Sequence, residues 1–146
     1  MIDQLPFLVY GTLRPGQGNY AGLLHGRTCA EVRASVPSAA MFSGGAFPYA
    51  IATEDPQDVI VGDLLDIPSA LYTEVLADLD RLEGYREDRE SNHYERRRVT
   101  VTTAQGNREA WIYLAGARTA ERIRNLPRIT SGDWFTRTSD SSLAHR

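Results

Sequence analysis

Apolar residues fall along this chain in short runs broken by glycine and proline, with one stretch where they recur every three or four positions. The first run, Phe7-Leu8-Val9-Tyr10, stops at Gly11 and predicts a buried strand that enters a turn. Asn19 to Leu24 has room for no more than one helical turn. Arg27 to Ala40 alternates loosely and predicts strand or extended chain. Ser43-Gly44-Gly45-Ala46-Phe47-Pro48 predicts a loop, Tyr49 to Thr53 a short strand, and Glu54 to Asp58 a turn. Val59 to Ile67 predicts a strand with a bulge at Gly62. Tyr94 to Thr103 and Arg108 to Ala115 predict two strands around a hairpin turn at Gln105-Gly106-Asn107. Arg118 to Asn125 reads as a short helix or a loop. Many strands and one principal helix predict an α+β domain built on a curved sheet or small barrel.

That principal helix is Ser69 to Glu83, opened by Pro68 and Ser69 and stopped by Gly84. At about 100° per residue, Leu71, Leu82, Val75, Leu79, Tyr72 and Leu76 form one apolar stripe about 140° wide. Glu83 falls near 120° on the same scale, inside the stripe, between Leu79 and Leu76. It also lies in the last turn, where the helix dipole disfavours negative charge. Desolvation and the dipole both raise a carboxyl pKa, desolvation by more, and a glutamate so placed becomes a usable base near neutral pH. The alternative is a helix that ends early and turns Glu83 into water beside Gly84.

Composition narrows the function classes. The chain has 146 residues, 42% hydrophobic and 24% charged, which predicts one domain over residues 1–138 with a polar tail from Ser139 to Arg146. A net charge of -3 argues against a general nucleic-acid binder. All 16 basic residues are arginines, so neither a Schiff-base lysine nor a phosphate-loop lysine is available. No apolar run approaches a membrane span, and Met1-Ile2-Asp3-Gln4 lacks the basic start of a secretory signal. The single cysteine, Cys29, makes no internal disulfide, so a cytoplasmic location is expected.

The opening turn, Tyr10-Gly11-Thr12-Leu13-Arg14, supports two readings. One is a first strand and its turn, nothing more. In the other, amides beyond Gly11 are free to receive an anion. Arg14 follows the turn directly and either helps hold a carboxylate or is solvated. The same turn, with Gly16, Gly18 and Asn19, resembles the opening motif of the gamma-glutamylcyclotransferase-like proteins, which include gamma-glutamylamine cyclotransferases and the AIG2-like branch. Leu79-Asp80-Arg81-Leu82-Glu83-Gly84-Tyr85 resembles the segment that carries that family's catalytic glutamate. Phe47-Pro48-Tyr49-Ala50 is similar to the loop between the two motifs, and Tyr94-Glu95-Arg96 to the tyrosine-led strand after the glutamate. The resemblance runs from Phe7 to Leu114, with Ser131-Gly132-Asp133-Trp134 near the end.

The resemblance implies a mixed β-barrel with helices packed outside it. It implies an intramolecular aminolysis in which the α-amine of a γ-glutamyl group attacks its own γ-carbonyl. The products are 5-oxoproline and a free amine or amino acid, and no metal or cofactor is needed. Glu83 is then the general acid/base, and Tyr10, Gly11, Thr12, Leu13 and Arg14 hold the α-carboxylate. Tyr94 is a candidate donor to the carbonyl oxygen. The partner expected is a small γ-glutamyl substrate, with no nucleic acid and no membrane. The rival readings are a binding module that kept the cavity without turnover, and a hydrolase of another amide or thioester.

Other constellations carry less. Gly16-Gln17-Gly18 lacks the third glycine and the βαβ context of a dinucleotide site. Cys29 with His25 or His93 has no supporting motif, and the three histidines have no metal-ligand spacing. Arg96-Arg97-Arg98 reads as a salt-bridged edge beside Glu87, Asp88, Glu90 and Glu95.

Overall fold

A computed structural model describes residues 3–87 and 92–136. Five strands close into a barrel in the order β1 (Phe7–Val9), β5 (Val59–Asp66), β2 (Ala30–Pro37), β6 (Tyr94–Thr103) and β7 (Gly106–Ala115). All neighbours are antiparallel except β1 and β7, which meet in parallel at Phe7 and Trp111 and close the ring. Strands β3 (Ala39–Ser43) and β4 (Pro48–Ala52) form a separate hairpin. The helices are α1 (Gly18–Leu23), α2 (Ser69–Glu83) and α3 (Ala117–Ile123), and a short helical turn, Trp134–Thr136, follows. This is the expected α+β barrel.

Burial explains the opening apolar run. Strand side chains alternate between faces, and both faces of β1 are covered. Leu8 packs inside the barrel with Leu64, Val101, Ile112 and Trp134. Phe7 and Val9 point outward against Tyr72, Val75, Leu76 and Leu79 of α2. A strand covered on both sides reads as an unbroken apolar stretch. A third cluster, Ala40, Phe42, Ile51, Ala115 and Ile123, joins the β3–β4 hairpin to α3.

The structure moves three local expectations. Gly62 is not a bulge: it pairs in register with Ala34. A Cβ there would stand 2.2 Å from the Val9 carbonyl oxygen, so glycine is needed for the close approach of β5 to β1. The β6–β7 hairpin turns at Ala104 and Gln105, because Thr103 pairs directly with Gly106 and its hydroxyl accepts the Gln105 amide at 3.1 Å. The segment from Arg27 to Ala40 holds parts of two strands, divided at Ser38, which has φ +59°.

The arginine-rich stretch is paired as expected in part. Arg96 meets Asp80 at 3.0 Å and Glu87 at 3.8 Å, and Arg98 meets Asp3 and Glu109. Asp88, Glu90 and the tail from Ser139 to Arg146 lie outside the described residues. No described helix is long and apolar enough to cross a membrane.

Candidate active site

The turn after β1 is tied by its own backbone. The Arg14 amide donates to the Gly11 carbonyl at 3.0 Å, and the Asn19 and Tyr20 amides donate to the Thr12 carbonyl at 3.1 and 3.2 Å. The Asn19 side chain donates to the Thr12 hydroxyl at 2.7 Å. The amides of Gly11, Thr12 and Leu13 donate to no acceptor among the described residues. Three successive N–H groups without an acceptor are what the anion-receiving reading of this turn requires.

A cavity of about 430 Å³ opens over this turn. Tyr10, Gly11, Thr12, Leu13, Glu83 and Tyr94 all line it, so the structure gathers six of the seven predicted site residues in one chamber. Pro48 closes one side: a Cβ on Gly11 would stand 2.7 Å from Pro48 Cγ. Gly11→Val is expected to displace Pro48 and raise the KM for substrate by ~10–10²-fold while the protein still folds. A steady-state titration on the folded variant checks this.

Glu83 enters from the end of α2. The helix stops at Gly84, whose φ of +70° is the left-handed conformation that glycine adopts without strain. The Gly84 and Tyr85 amides donate to the Arg81 and Asp80 carbonyls at 3.2 and 2.8 Å, closing the last turn. Asp80, one turn before Glu83, accepts the Tyr113 hydroxyl at 2.5 Å and Arg96 Nε at 3.0 Å. The Arg96 guanidinium lies between the Tyr85 and Trp111 rings, at 5.0 and 4.8 Å from their centroids. The carboxylate of Glu83 is therefore set by a helix end bolted to β6 and β7.

The Glu83 side chain is half-buried, and burial alone raises its pKa to about 7. The helix therefore runs as far as the sequence predicted, and Glu83 faces the cavity. Leu82 is the correction. The apolar stripe placed it in the core, yet it is 42% exposed and lines the cavity. The last turn of α2 thus lines the chamber with Leu82 and Glu83.

The cavity's tyrosines stay protonated. Burial raises Tyr10, Tyr94 and Tyr113, and the Glu83 charge raises each further. Tyr10 donates to the Tyr113 carbonyl at 2.5 Å, and Tyr113 donates to Asp80. The Tyr94 hydroxyl has no hydrogen-bond partner among the described residues, and its ring stacks on Tyr49 at 5.9 Å. It is the lining tyrosine left with a proton to offer.

Arg14 does not join them. It is fully buried, and its guanidinium is held by Asp63 of β5 and by Asp133, each at 2.7 Å. The Phe135 ring covers it at 3.6 Å. Arg14 is not among the residues that line the cavity, and Nε and Nη1 are taken by the two aspartates, while the buried Nη2 has no hydrogen-bond partner among the described residues. Among the described residues, no group of three His, Cys, Asp or Glu is placed to hold a metal ion.

Several lining residues carried no assigned role in the sequence reading: Asn19, Phe47, Pro48, Leu82 and Tyr113. Asn19, Phe47, Pro48 and Leu82 lie within the motifs that carry the family resemblance, which was their available signal. Tyr113 sits mid-strand on β7 and had none.

Comparison with known proteins agrees with the geometry. The family model described as "Gamma-glutamyl cyclotransferase, AIG2-like" matches residues 7–136. A Vibrio cholerae protein named "Putative gamma-glutamylcyclotransferase" is 31% identical over 129 residues, which is 88% of this chain and 94% of that one. Two solved structures share the fold. YkqA from Bacillus subtilis matches 94% of this chain with a TM-score of 0.66 at 24% identity, and this chain spans 42% of YkqA's length. A mouse AIG2-like protein matches 85% of this chain and 84% of its own, with a TM-score of 0.63 at 20% identity. The chain thus belongs to the gamma-glutamyl cyclotransferase, AIG2-like family.

Proposed function

We propose that this protein is a gamma-glutamyl cyclotransferase that converts a γ-glutamyl amine or amino acid to 5-oxoproline and the free amine. The observation that carries the reading is the pairing, in one cavity, of three free turn amides with a half-buried glutamate whose pKa is raised to about 7. A binder of an anionic ligand gains nothing from a desolvated carboxyl in the same chamber. A proton-transfer catalyst needs one.

The amides of Gly11, Thr12 and Leu13 receive the substrate's α-carboxylate. Glu83 takes a proton from the α-amine, whose nitrogen then attacks the γ-carbonyl carbon and closes the five-membered ring. Tyr94 donates to the oxygen that becomes negative. Glu83 returns the proton to the departing nitrogen as the original amide C–N bond breaks. Ring closure is unimolecular, so holding the chain in a folded-back conformation supplies much of the advantage.

Incubating the purified chain with a panel of γ-glutamyl compounds tests the reading. Release of 5-oxoproline is expected. Release of free glutamate instead would identify a hydrolase, and binding without turnover a ligand-binding module. A pH profile adds a second check. With Glu83 acting as the base, kcat/KM is expected to rise about tenfold per pH unit in acid and to level off above about pH 7. A break near the ordinary glutamate pKa would count against Glu83 as the titrating group.

A further inference from the structure

The mouth of the cavity has a chemistry of its own. Its floor is buried: Leu8, Val9, Tyr10, Leu13 and Tyr113. Its rim is exposed and apolar, with Ala46 and Phe47 from the loop after β3 and Leu82 from the end of α2. Phe47 is 39% and Leu82 42% exposed, and only Val59 and Phe135 join them as exposed large hydrophobics among the described residues. Two elements distant in sequence thus bring a solvent-facing apolar side chain to one opening, where water alone gives them no reason to stay.

Phe47 is also held in place. The Gly44 amide donates to its carbonyl at 2.9 Å, and its ring meets Tyr49 edge-on at 5.2 Å. Tyr49 stacks in turn on Tyr94. Phe47 at the rim and Tyr94 deeper in the cavity are thus joined through the Tyr49 ring behind them, so part of their ordering cost is met before a ligand arrives.

Charge completes the pattern. Among the described lining residues there is no arginine and no histidine, and Glu83 is the one carboxylate. The nearby buried cations are ion-paired and do not line the cavity: Arg14 through Nε and Nη1 to Asp63 and Asp133, and Arg96 to Asp80. A second carboxylate brought to this rim would lose water, meet no arginine or histidine among the described lining residues, and face Glu83 when that residue ionises.

We propose that the rim formed by Phe47 and Leu82 is a leaving-group subsite for an uncharged, apolar amine, alkyl or arylalkyl, and that it disfavours leaving halves that carry a carboxylate. This rests on the cyclotransfer reading: the glutamyl half occupies the floor beside Glu83 and the turn, so the scissile nitrogen and its substituent point to the mouth.

Matched pairs of substrates that differ by one carboxylate test it. γ-Glutamyl-phenethylamine is compared with γ-glutamyl-phenylalanine, and γ-glutamyl-isoamylamine with γ-glutamyl-leucine; γ-glutamyl-1,5-diaminopentane serves as the cationic control. The amine of each pair is expected to show kcat/KM at least ~10-fold higher, in the range that apolar pocket contacts give. Phe47→Ala is expected to lower kcat/KM for the phenethylamine substrate by about tenfold more than for γ-glutamyl-methylamine. Phe47→Arg is expected to narrow or reverse the gap within each pair. Equal or better turnover of the carboxylate-bearing members, or the diamine as best substrate, overturns the subsite while leaving cyclotransfer standing. An equal effect of Phe47→Ala on large and small amines does the same. If no compound in the set releases 5-oxoproline, the cyclotransfer reading itself fails and the subsite falls with it.

Discussion

Glu83→Gln is expected to fold normally and to lower 5-oxoproline formation by ~10²–10⁴-fold, the range associated with loss of a positioned general acid/base. Glutamine fills the same volume at the end of α2 but neither takes nor returns a proton. The loss should appear in kcat, with the KM little changed, because in the proposed mechanism the α-carboxylate is held by the Gly11–Leu13 amides and not by Glu83. A variant that keeps more than a tenth of the wild-type kcat would remove Glu83 from the proton-transfer role.

The same variant should change the pH dependence of stability. The folded pKa of Glu83, about 7, lies above its ordinary value of 4.5, and the cause is burial. The folded protein therefore holds the proton over a window where the unfolded chain has lost it. Stability falls as pH rises from about 4.5 to about 7, then stays level, by up to roughly 3 kcal/mol for this group. Glu83→Gln removes that slope, so its stability gain over the wild type should be larger at pH 8 than at pH 4. Denaturant titrations of both proteins at the two pH values measure the difference directly.

Arg14→Met is expected to cost stability rather than substrate affinity. Arg14 Nε and Nη1 each hold a carboxylate at 2.7 Å, and the side chains of Asp63 and Asp133 are themselves only 18% and 12% exposed. Removing the cation leaves two largely desolvated carboxylates with their main partner gone. Breaking a buried pair in this way costs about 3–5 kcal/mol, which for a domain of this size lowers Tm by roughly 10 °C. Neutralising the partners as well, in Arg14→Met with Asp63→Asn and Asp133→Asn, should recover much of the loss. A normal Tm with a raised KM would return Arg14 to the substrate site.

The reason lies in where Arg14 connects. It leaves the turn after β1, meets Asp63 on β5, and reaches Asp133 in the segment whose Gly132 carbonyl accepts the Val61 amide at 2.8 Å. Asp133 is held in turn by the Phe135 amide at 3.0 Å. The arginine is a clamp between the turn, the barrel wall and the last described segment. Ser131 to Trp134 was part of the sequence resemblance far downstream of the two motifs, and this clamp shows what that segment touches.

Much of this molecule was legible in the chain because its signals are local. The helix Ser69–Glu83 came out at its sequence boundaries, since Pro68 opens it, Gly84 stops it, and Tyr72, Val75, Leu76 and Leu79 fix its buried face. The run Phe7 to Tyr10 announced a buried strand, and Gly11 announced the turn. The placement of Glu83 among apolar neighbours followed from helical periodicity alone. What periodicity could not supply is whatever depends on the end of a neighbour. Leu82 and Glu83 are adjacent and both lie on the stripe, yet both line the cavity instead of packing into the core. Gly62 looked like a bulge because a sequence does not show the Val9 carbonyl that passes 2.2 Å from where its Cβ would be.

By itself, then, the sequence determined most element types and the family motifs, and it offered a turn and a carboxylate as candidates for binding and for proton transfer. These follow from backbone preference and side-chain spacing, which act over a few residues. The tertiary structure decided which charged groups were free to act. Arg14 and Glu83 each lie at the end of a motif and each looked like a site residue. Two aspartates from distant segments consumed the charge of one, and an apolar chamber with no arginine or histidine among its described lining left the other unpaired and raised its pKa. Pairing and desolvation depend on what the fold brings within a few ångströms, and that information is not carried by any one stretch of the chain.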